Sequence, residues 1–169
     1  NKVVVSWFHV IPDYYNTKLI PKAQKSIDYI HASCNFTKNH LIKVGVREEK
    51  IVVIPLGIDL SLFKQSSISE KEEIRKRLGI SSDKIVIGSF QKDGVGWGKG
   101  LKPKLIKGPD IFLKAVGELA KSYPIFVLLV GPARGYLKRE LKKMRIHYKS
   151  IGYLKNTSDV SRYYHVLDL

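Results

Sequence analysis

Lys84-Ile-Val-Ile-Gly-Ser-Phe90 and Ile125-Phe-Val-Leu-Leu-Val-Gly131 decide the fold, together with what lies between them. The second run is apolar at every position before its glycine, the pattern of a strand covered on both faces. Between the two, Ile111, Phe112, Ala115, Val116, Leu119 and Ala120 recur at helical spacing. A strand, a helix and a second strand in this order form a βαβ unit, which implies a parallel sheet. The helix is announced by Lys107-Gly108-Pro109-Asp110: a cation, a flexible residue, a proline suited to the first helical position and an early acid. That is a way for a chain to present a lysine and free amides to a phosphate. Between the first strand and this helix lies Gln91–Ile106, rich in glycine and lysine and too long for a simple connector. It reads either as a lid that closes over an anion or as an insertion packed permanently on the surface.

Upstream the same alternation continues. Lys2–Phe8 reads as a strand, Thr17–Ser26 as a helix and Asp28–Ser33 as a strand. Asn35 is placed to cap a helix that ends at Gly45, and Lys50–Ile54 forms a further strand before Pro55. Ser69 and Glu72 have capping-box spacing ahead of a helix with Ile74 and Leu78 on one face and Gly79 as its stop. Downstream of Gly131-Pro132, Leu137, Leu141 and Met144 line one side of a helix whose other side is basic; that side reads as a solvated face over a core stripe, with membrane-surface contact as the alternative. Pro55–Phe63 has the turn residues of a domain junction, and Leu167–Leu169 reads as lying inside another strand. With 169 residues there is room for one domain or for parts of two. Neither terminus reads as a natural one, so parts of two are expected.

The chain carries 30 basic and 15 acidic residues, a net charge of +15. This favours polyanions without naming one. No run approaches the roughly 20 apolar residues of a membrane span. The single cysteine, Cys34, fits a reducing compartment and is expected to pack as a small apolar residue. Gly94–Gly100 contains Gly-Lys but lacks the spacing and the hydroxyl residue of a P-loop, and no helix opens where a dinucleotide fingerprint needs one. The five histidines lack ligand spacing, so no metal site is expected. Asn35-Phe-Thr37 and Asn156-Thr-Ser158 match a glycosylation acceptor pattern but read as helix caps.

The order Lys50–Asp59 with Phe63, then Arg75–Ile80, Ile87-Gly88, Lys107-Gly108, Leu128–Gly131 and Ile151-Gly-Tyr153 resembles the GT-B retaining glycosyltransferases of the family-4, or group 1, type. The resemblance implies an α/β fold of two Rossmann-like parallel-sheet domains, each only partly present. Residues 1–57 would be the last units of the acceptor-side domain, and 58–169 the first half of the nucleotide-sugar-binding domain.

It implies that a hexose moves from a nucleoside-diphosphate sugar to an acceptor hydroxyl on a glycan or lipid-linked acceptor, without metal or cofactor. The setting would be cytoplasmic, with peripheral membrane contact in reach and nucleic acid not expected as a partner. Residue by residue, Lys107 and Gly108 match the donor-diphosphate contact. The arginine that normally follows the preceding strand's glycine is replaced by Ser89, with Gln91 or Lys92 as substitutes. His9 matches an active-site histidine near the transferred sugar. Gly131 and Pro132 would open on the donor crevice, and Gly152, Tyr153 and Leu154 would read the base. The paired glutamates that contact donor sugar and ribose would lie beyond Leu169. Two other readings stay open: a non-catalytic basic Rossmann-type module for RNA or anionic lipid, and a GT-B epimerase or phosphorylase.

Overall fold

The computed structural model describes residues 2–7 and 19–169. They fall into two compact units, Asn1–Ile58 and Asp59–Leu169.

The first unit runs β1 (Val4–Trp7), α1 (Ile20–Ala23) with a 3-10 turn at Gln24–Ser26, β2 (Tyr29–Ala32), α2 (Asn35–Lys43) and β3 (Ile51–Val53). The strands are parallel in the order β1-β2-β3, with Ile30 opposite Val5 and Ile51. Ile30 and Ala32 point to one face of β2, where Ile20, Leu41, Val46 and Ile51 bury them; the alternation of a one-sided strand selects this register. Two expectations are corrected here. Asn35 is the first helical residue of α2 and Cys34 holds the N-cap position, without a side-chain cap bond. Cys34 is also exposed rather than packed, because an N-cap residue sits at the helix end and not on its buried stripe.

The second unit runs α3 (Ile68–Leu78), β4 (Ile85–Ser89), α4 (Pro109–Leu119), β5 (Ile125–Val130), α5 (Gly135–Lys143), β6 (His147–Ile151) and α6 (Thr157–Tyr164). Its sheet is parallel in the order β4-β5-β6. β5 is buried along almost its whole length. Val127 and Leu129 face a cluster with Leu113, Val116, Leu137 and Leu141, while Leu128 and Val130 face one with Ile80, Val86 and Val166. This two-sided burial is why the strand reads as an unbroken apolar run.

The capping box of α3 is Ser67 with Glu70, one helical half-turn before the expected Ser69 and Glu72. Both pairs fit the spacing; in the structure the earlier one closes, with Ser67 N–H donating to Glu70 Oε2 and Glu70 N–H to Ser67 Oγ. Gly79 ends the helix at φ 69°, a left-handed stop. Met144, expected on the buried stripe of α5, falls at its C-cap and is exposed. Asn156 does occupy the N-cap of α6, but makes no side-chain cap bond.

The chain returns from α6 to the free edge of β4. Asp168 N–H donates to Val86 O at 2.9 Å, and Gly88 N–H donates to Leu169 O at 2.9 Å. Asp168 anchors this return, its carboxylate accepting from Lys71 Nζ (2.6 Å), Arg75 Nη2 (2.6 Å) and Val86 N–H (2.8 Å). Gly88 has no side chain because Leu167 and Phe90 pack where its Cβ would be.

Candidate active site at the carboxyl end of β4

From β4 the chain proceeds outward through β5 to β6 in one direction, and then places Asp168 on β4's opposite edge. β4 is therefore flanked by β5 on one edge and by the chain returning from β6 through α6 on the other, so the direction of winding reverses beside it, a topological switch point. In parallel α/β sheets the crevice beyond the carboxyl end of such a strand is where ligands bind. Ser89, expected at the phosphate, is the last residue of β4 and is buried with its hydroxyl bound within the protein, while Gln91 and Lys92 follow that end directly.

Lys107 and Gly108 arrive at the same place from the other side of the loop. Gln91 Nε2 donates to Lys107 O at 2.6 Å, which ties the exit of β4 to the entrance of α4. Gly108 is the N-cap of α4 with φ 62°, a left-handed conformation that only glycine adopts without cost. Pro109 follows at the first helical position, and the first helical bond runs from Phe112 N–H to Gly108 O. The earlier amides, of Asp110 and Ile111, stay ahead of the helix's own bonding. An exposed lysine, free amides and a helix N-terminus thus converge where an anion would sit.

Lys92 is directed differently: its ammonium lies 3.8 Å from the centroid of the Trp97 ring. Its charge is engaged in a cation–π contact and not presented beside Lys107. Gly131, at φ 107°, donates its N–H to Ile151 O at 3.0 Å, so the carboxyl ends of β5 and β6 are held side by side. Pro132 is half-buried, Gly152 and Tyr153 are exposed, and Leu154 turns inward to the Val86–Leu128–Val166 cluster. Of the three residues expected to read a base, two are open to solvent and Leu154 is a core residue. His9 lies outside the described residues. No group of three or more His, Cys, Asp or Glu side chains is arranged for a metal among the described residues.

Two residues at this end of the sheet went unnoticed in the sequence, Arg134 and Asp93. Arg134 is 4% exposed and Asp93 1%. Arg134 Nη2 donates to Ser89 O (2.9 Å) and Ser89 Oγ (2.6 Å), and lies 3.4 Å from Asp93 Oδ2. Burial pushes the Asp93 carboxyl up against the attraction of Arg134, and pulls Arg134 down against the attraction of Asp93. Desolvation dominates on both sides, as expected for an ion pair taken out of water. The pair nevertheless fixes geometry: it clamps the last residue of β4 to the turn after β5. The strand register brings them together. Parallel pairing sets Ser89 opposite Leu129, and Arg134 follows only five residues later.

The loop after Asp93 is folded back on itself. Gly94 and Pro103 form an antiparallel bridge, Val95 N–H donates to Lys102 O at 2.9 Å, and Lys104 N–H donates to Asp93 O at 2.7 Å. The tip docks on α5, whose first amides, Gly135 and Tyr136, donate to Lys99 O (2.9 Å) and Gly100 O (2.8 Å). Protein carbonyls thus already occupy the N-terminus of α5, which leaves that of α4 for an anion. In the described conformation the loop is packed against α5.

No family model matches the chain. In sequence it is 29% identical over 110 residues to a D-inositol 3-phosphate glycosyltransferase of Segniliparus rotundus, covering 64% of this chain and 22% of that protein. It is 30% identical over 105 residues to the protein of the same name from Corynebacterium jeikeium, covering 60% and 23%. The chain therefore spans under a quarter of the length of these relatives. In structure it superposes on HepE of Anabaena, solved with UDP, at a TM-score of 0.76 and 19% identity, covering 99% of this chain and 45% of HepE. Against HepE solved with UDP-glucose the TM-score is 0.73. With two parallel three-stranded Rossmann-like units, the chain has the α/β fold that HepE has over the matched region, and its sequence is similar to these glycosyltransferases.

Proposed function

We propose that this chain is part of a retaining glycosyltransferase that moves a hexose from a nucleoside-diphosphate sugar to an acceptor hydroxyl, on a glycan or a lipid-linked acceptor. The observation that carries the reading is the convergence of Lys107, Gly108 and the α4 N-terminus on the carboxyl end of β4, at the switch point of the sheet. Transfer breaks the bond between the anomeric carbon and the diphosphate oxygen, and the acceptor oxygen takes that place. Negative charge builds on the departing diphosphate. Lys107 and the first amides of α4 are placed to meet that charge, an interaction that strengthens as the bond breaks. No metal is invoked for this step. Gly131, Gly152 and Tyr153 would border the nucleoside, and His9 would stand near the transferred sugar. That HepE was solved with UDP and UDP-glucose supports a uridine nucleotide as the first donor to try.

In this reading residues 1–57 end the acceptor-side domain and residues 58–169 begin the donor-side domain. The 169 residues alone would not turn over, because the resemblance puts the donor-binding glutamates beyond Leu169. Calorimetric titration with UDP tests the site. Lys107→Ala should weaken binding roughly ten- to hundredfold, the worth of a lost charge-assisted bond of about 1.5–3 kcal/mol, while Lys142→Ala on α5 leaves it unchanged. Equal small effects would remove Lys107 from the site. RNA binding with a steep salt dependence and no UDP affinity would favour a basic binding module instead.

A further inference from the structure

We infer that the hairpin Gly94–Pro103, with the turn that follows it, docks on the surface of an anionic lipid bilayer. Three observations carry this. First, the segment exposes large apolar side chains to water. Trp97 is 78% exposed, and Val95, Leu101, Leu105 and Ile106 are exposed as well. A concentration of exposed apolar side chains within a dozen residues marks an interaction surface.

Second, the same segment is basic without opposition. It holds Lys92, Lys99, Lys102 and Lys104, and none of them forms an ion pair among the described residues. The one acid between Gln91 and Pro109 is Asp93, buried against Arg134. No negative charge of the segment itself faces outward. The α5 face differs, since Arg139 and Lys143 both reach Glu140.

Third, the segment is built to hold this shape. The Gly94–Pro103 bridge closes it, the α5 amides of Gly135 and Tyr136 grip its tip, and Lys92 stacks on the Trp97 ring. Presenting an indole on a braced hairpin costs little further ordering when a partner arrives.

An indole beside aliphatic side chains and lysines is the composition of the bilayer interface. The aromatic ring sits at headgroup level, the aliphatic groups enter the acyl boundary and the ammonium groups meet lipid phosphates. Single-stranded nucleic acid fits less well. It is held by successive aromatic platforms, and here one aromatic stands among four aliphatic residues that phosphates and bases would leave uncovered. The inference does not depend on the donor site. Its test uses Trp97, Lys99 and Lys102 and leaves out Lys107.

The experiment is binding of the protein to vesicles of phosphatidylcholine alone and of equal parts phosphatidylcholine and phosphatidylglycerol. A Trp7→Phe background leaves Trp97 as the only reporter, read by quenching from brominated acyl chains. The expected result is binding to the anionic vesicles only, with Trp97 quenched. Lys99→Glu with Lys102→Glu should weaken binding at least about twentyfold, since each lysine near such a surface is worth about 1 kcal/mol, or roughly fivefold. Trp97→Ala should weaken it about tenfold with an unchanged melting temperature. The mirror pair Lys142→Glu with Lys143→Glu should leave binding intact. Absence of binding to anionic vesicles would overturn the inference, as would binding carried by the α5 pair, or RNA binding without vesicle binding. Trp97 already shielded from acrylamide in the free protein would assign the patch to a protein contact and overturn it too. UDP titration of the same variants keeps this outcome separate from that of the donor site.

Discussion

Replacing Arg134 by Met should destabilise the second unit more than any single surface change. The substitution removes the guanidinium and leaves a carboxylate, Asp93, that is 1% exposed. In the native protein neither Asp93 oxygen has a hydrogen-bond donor, so the ion pair at 3.4 Å is its main compensation. Breaking a buried pair from one side costs about 3–5 kcal/mol, because the orphaned charge must ionise in a low dielectric or take up a proton. For a chain of this size that is a fall in melting temperature of roughly 6–20 °C. The double variant Arg134→Met with Asp93→Leu should recover most of the loss, since apolar replacement of both partners is close to neutral.

The pH dependence gives a second handle. Burial raises the Asp93 pKa, so its protonated form favours the fold, and the stability it contributes is lost as pH rises through its folded value. Without Arg134 that shift grows. The cost of Arg134→Met should therefore shrink as pH falls from neutrality toward the Asp93 pKa. Urea denaturation followed by Trp97 fluorescence in the Trp7→Phe background measures all of this for the second unit. A cost below about 1 kcal/mol at neutral pH, or one that does not change with pH, would refute the reasoning.

Gly100→Ala should cost about 2 kcal/mol or more, because φ is 66° and the new Cβ would overlap the Ala133 carbonyl, whereas Gly98→Ala, with open space around it, should stay within about 0.5 kcal/mol; thermal melting of the pair checks the contrast. Asp168 titrates in the opposite sense to Asp93. Burial works to raise its pKa, but Lys71, the Val86 N–H and Arg75 outweigh it and hold it below the usual carboxylate range, so its contribution is present above about pH 4 and lost as pH falls through the folded value. Asp168→Asn should cost about 2 kcal/mol at neutral pH, little because the carboxylate is partly open to solvent, and should flatten the acid limb of the denaturation curve. Cys34 should alkylate with iodoacetamide faster than an unfolded-peptide thiol below pH 8, because the Thr37 hydroxyl and N–H hold its pKa down; Thr37→Val should slow it.

Strand β5 was legible to the residue because burial on both faces leaves no position where a polar side chain is tolerated. Helices α3, α4 and α5 were legible from their apolar stripes, whereas the helix expected over Thr17–Ser26 is α-helical only at Ile20–Ala23, and the strand expected at Leu167–Leu169 is a short return segment bonded to β4 rather than a strand. β6 was not: His147-Tyr-Lys-Ser-Ile151 lies at the sheet edge, half-covered, and its residues carry no alternation that separates it from a loop. Where α3 begins was ambiguous by chemistry, since Ser67/Glu70 and Ser69/Glu72 both satisfy a capping box. In the candidate site, Lys107 and Gly108 could be read because their signal is local, a cation and a glycine before a helix. Arg134 and Asp93 could not. Their meeting depends on the register of β4 with β5 and on a left-handed turn at Ala133, φ 56°, and an aspartate among lysines in a glycine loop reads as solvated.

The anchoring of Asp168 sets an order of events for the newborn chain. Val86 waits for a partner 82 residues further along, so at a synthesis rate of about 5–20 residues per second β4 spends roughly 4–16 s with its outer edge unsatisfied. An unpaired edge of this kind invites pairing with other chains. Arg75 and Lys71, already in place on α3, guard that edge with positive charge until the carboxylate that neutralises them emerges. The clasp that covers this edge of β4 is thus also the moment at which that edge stops being a template for other chains.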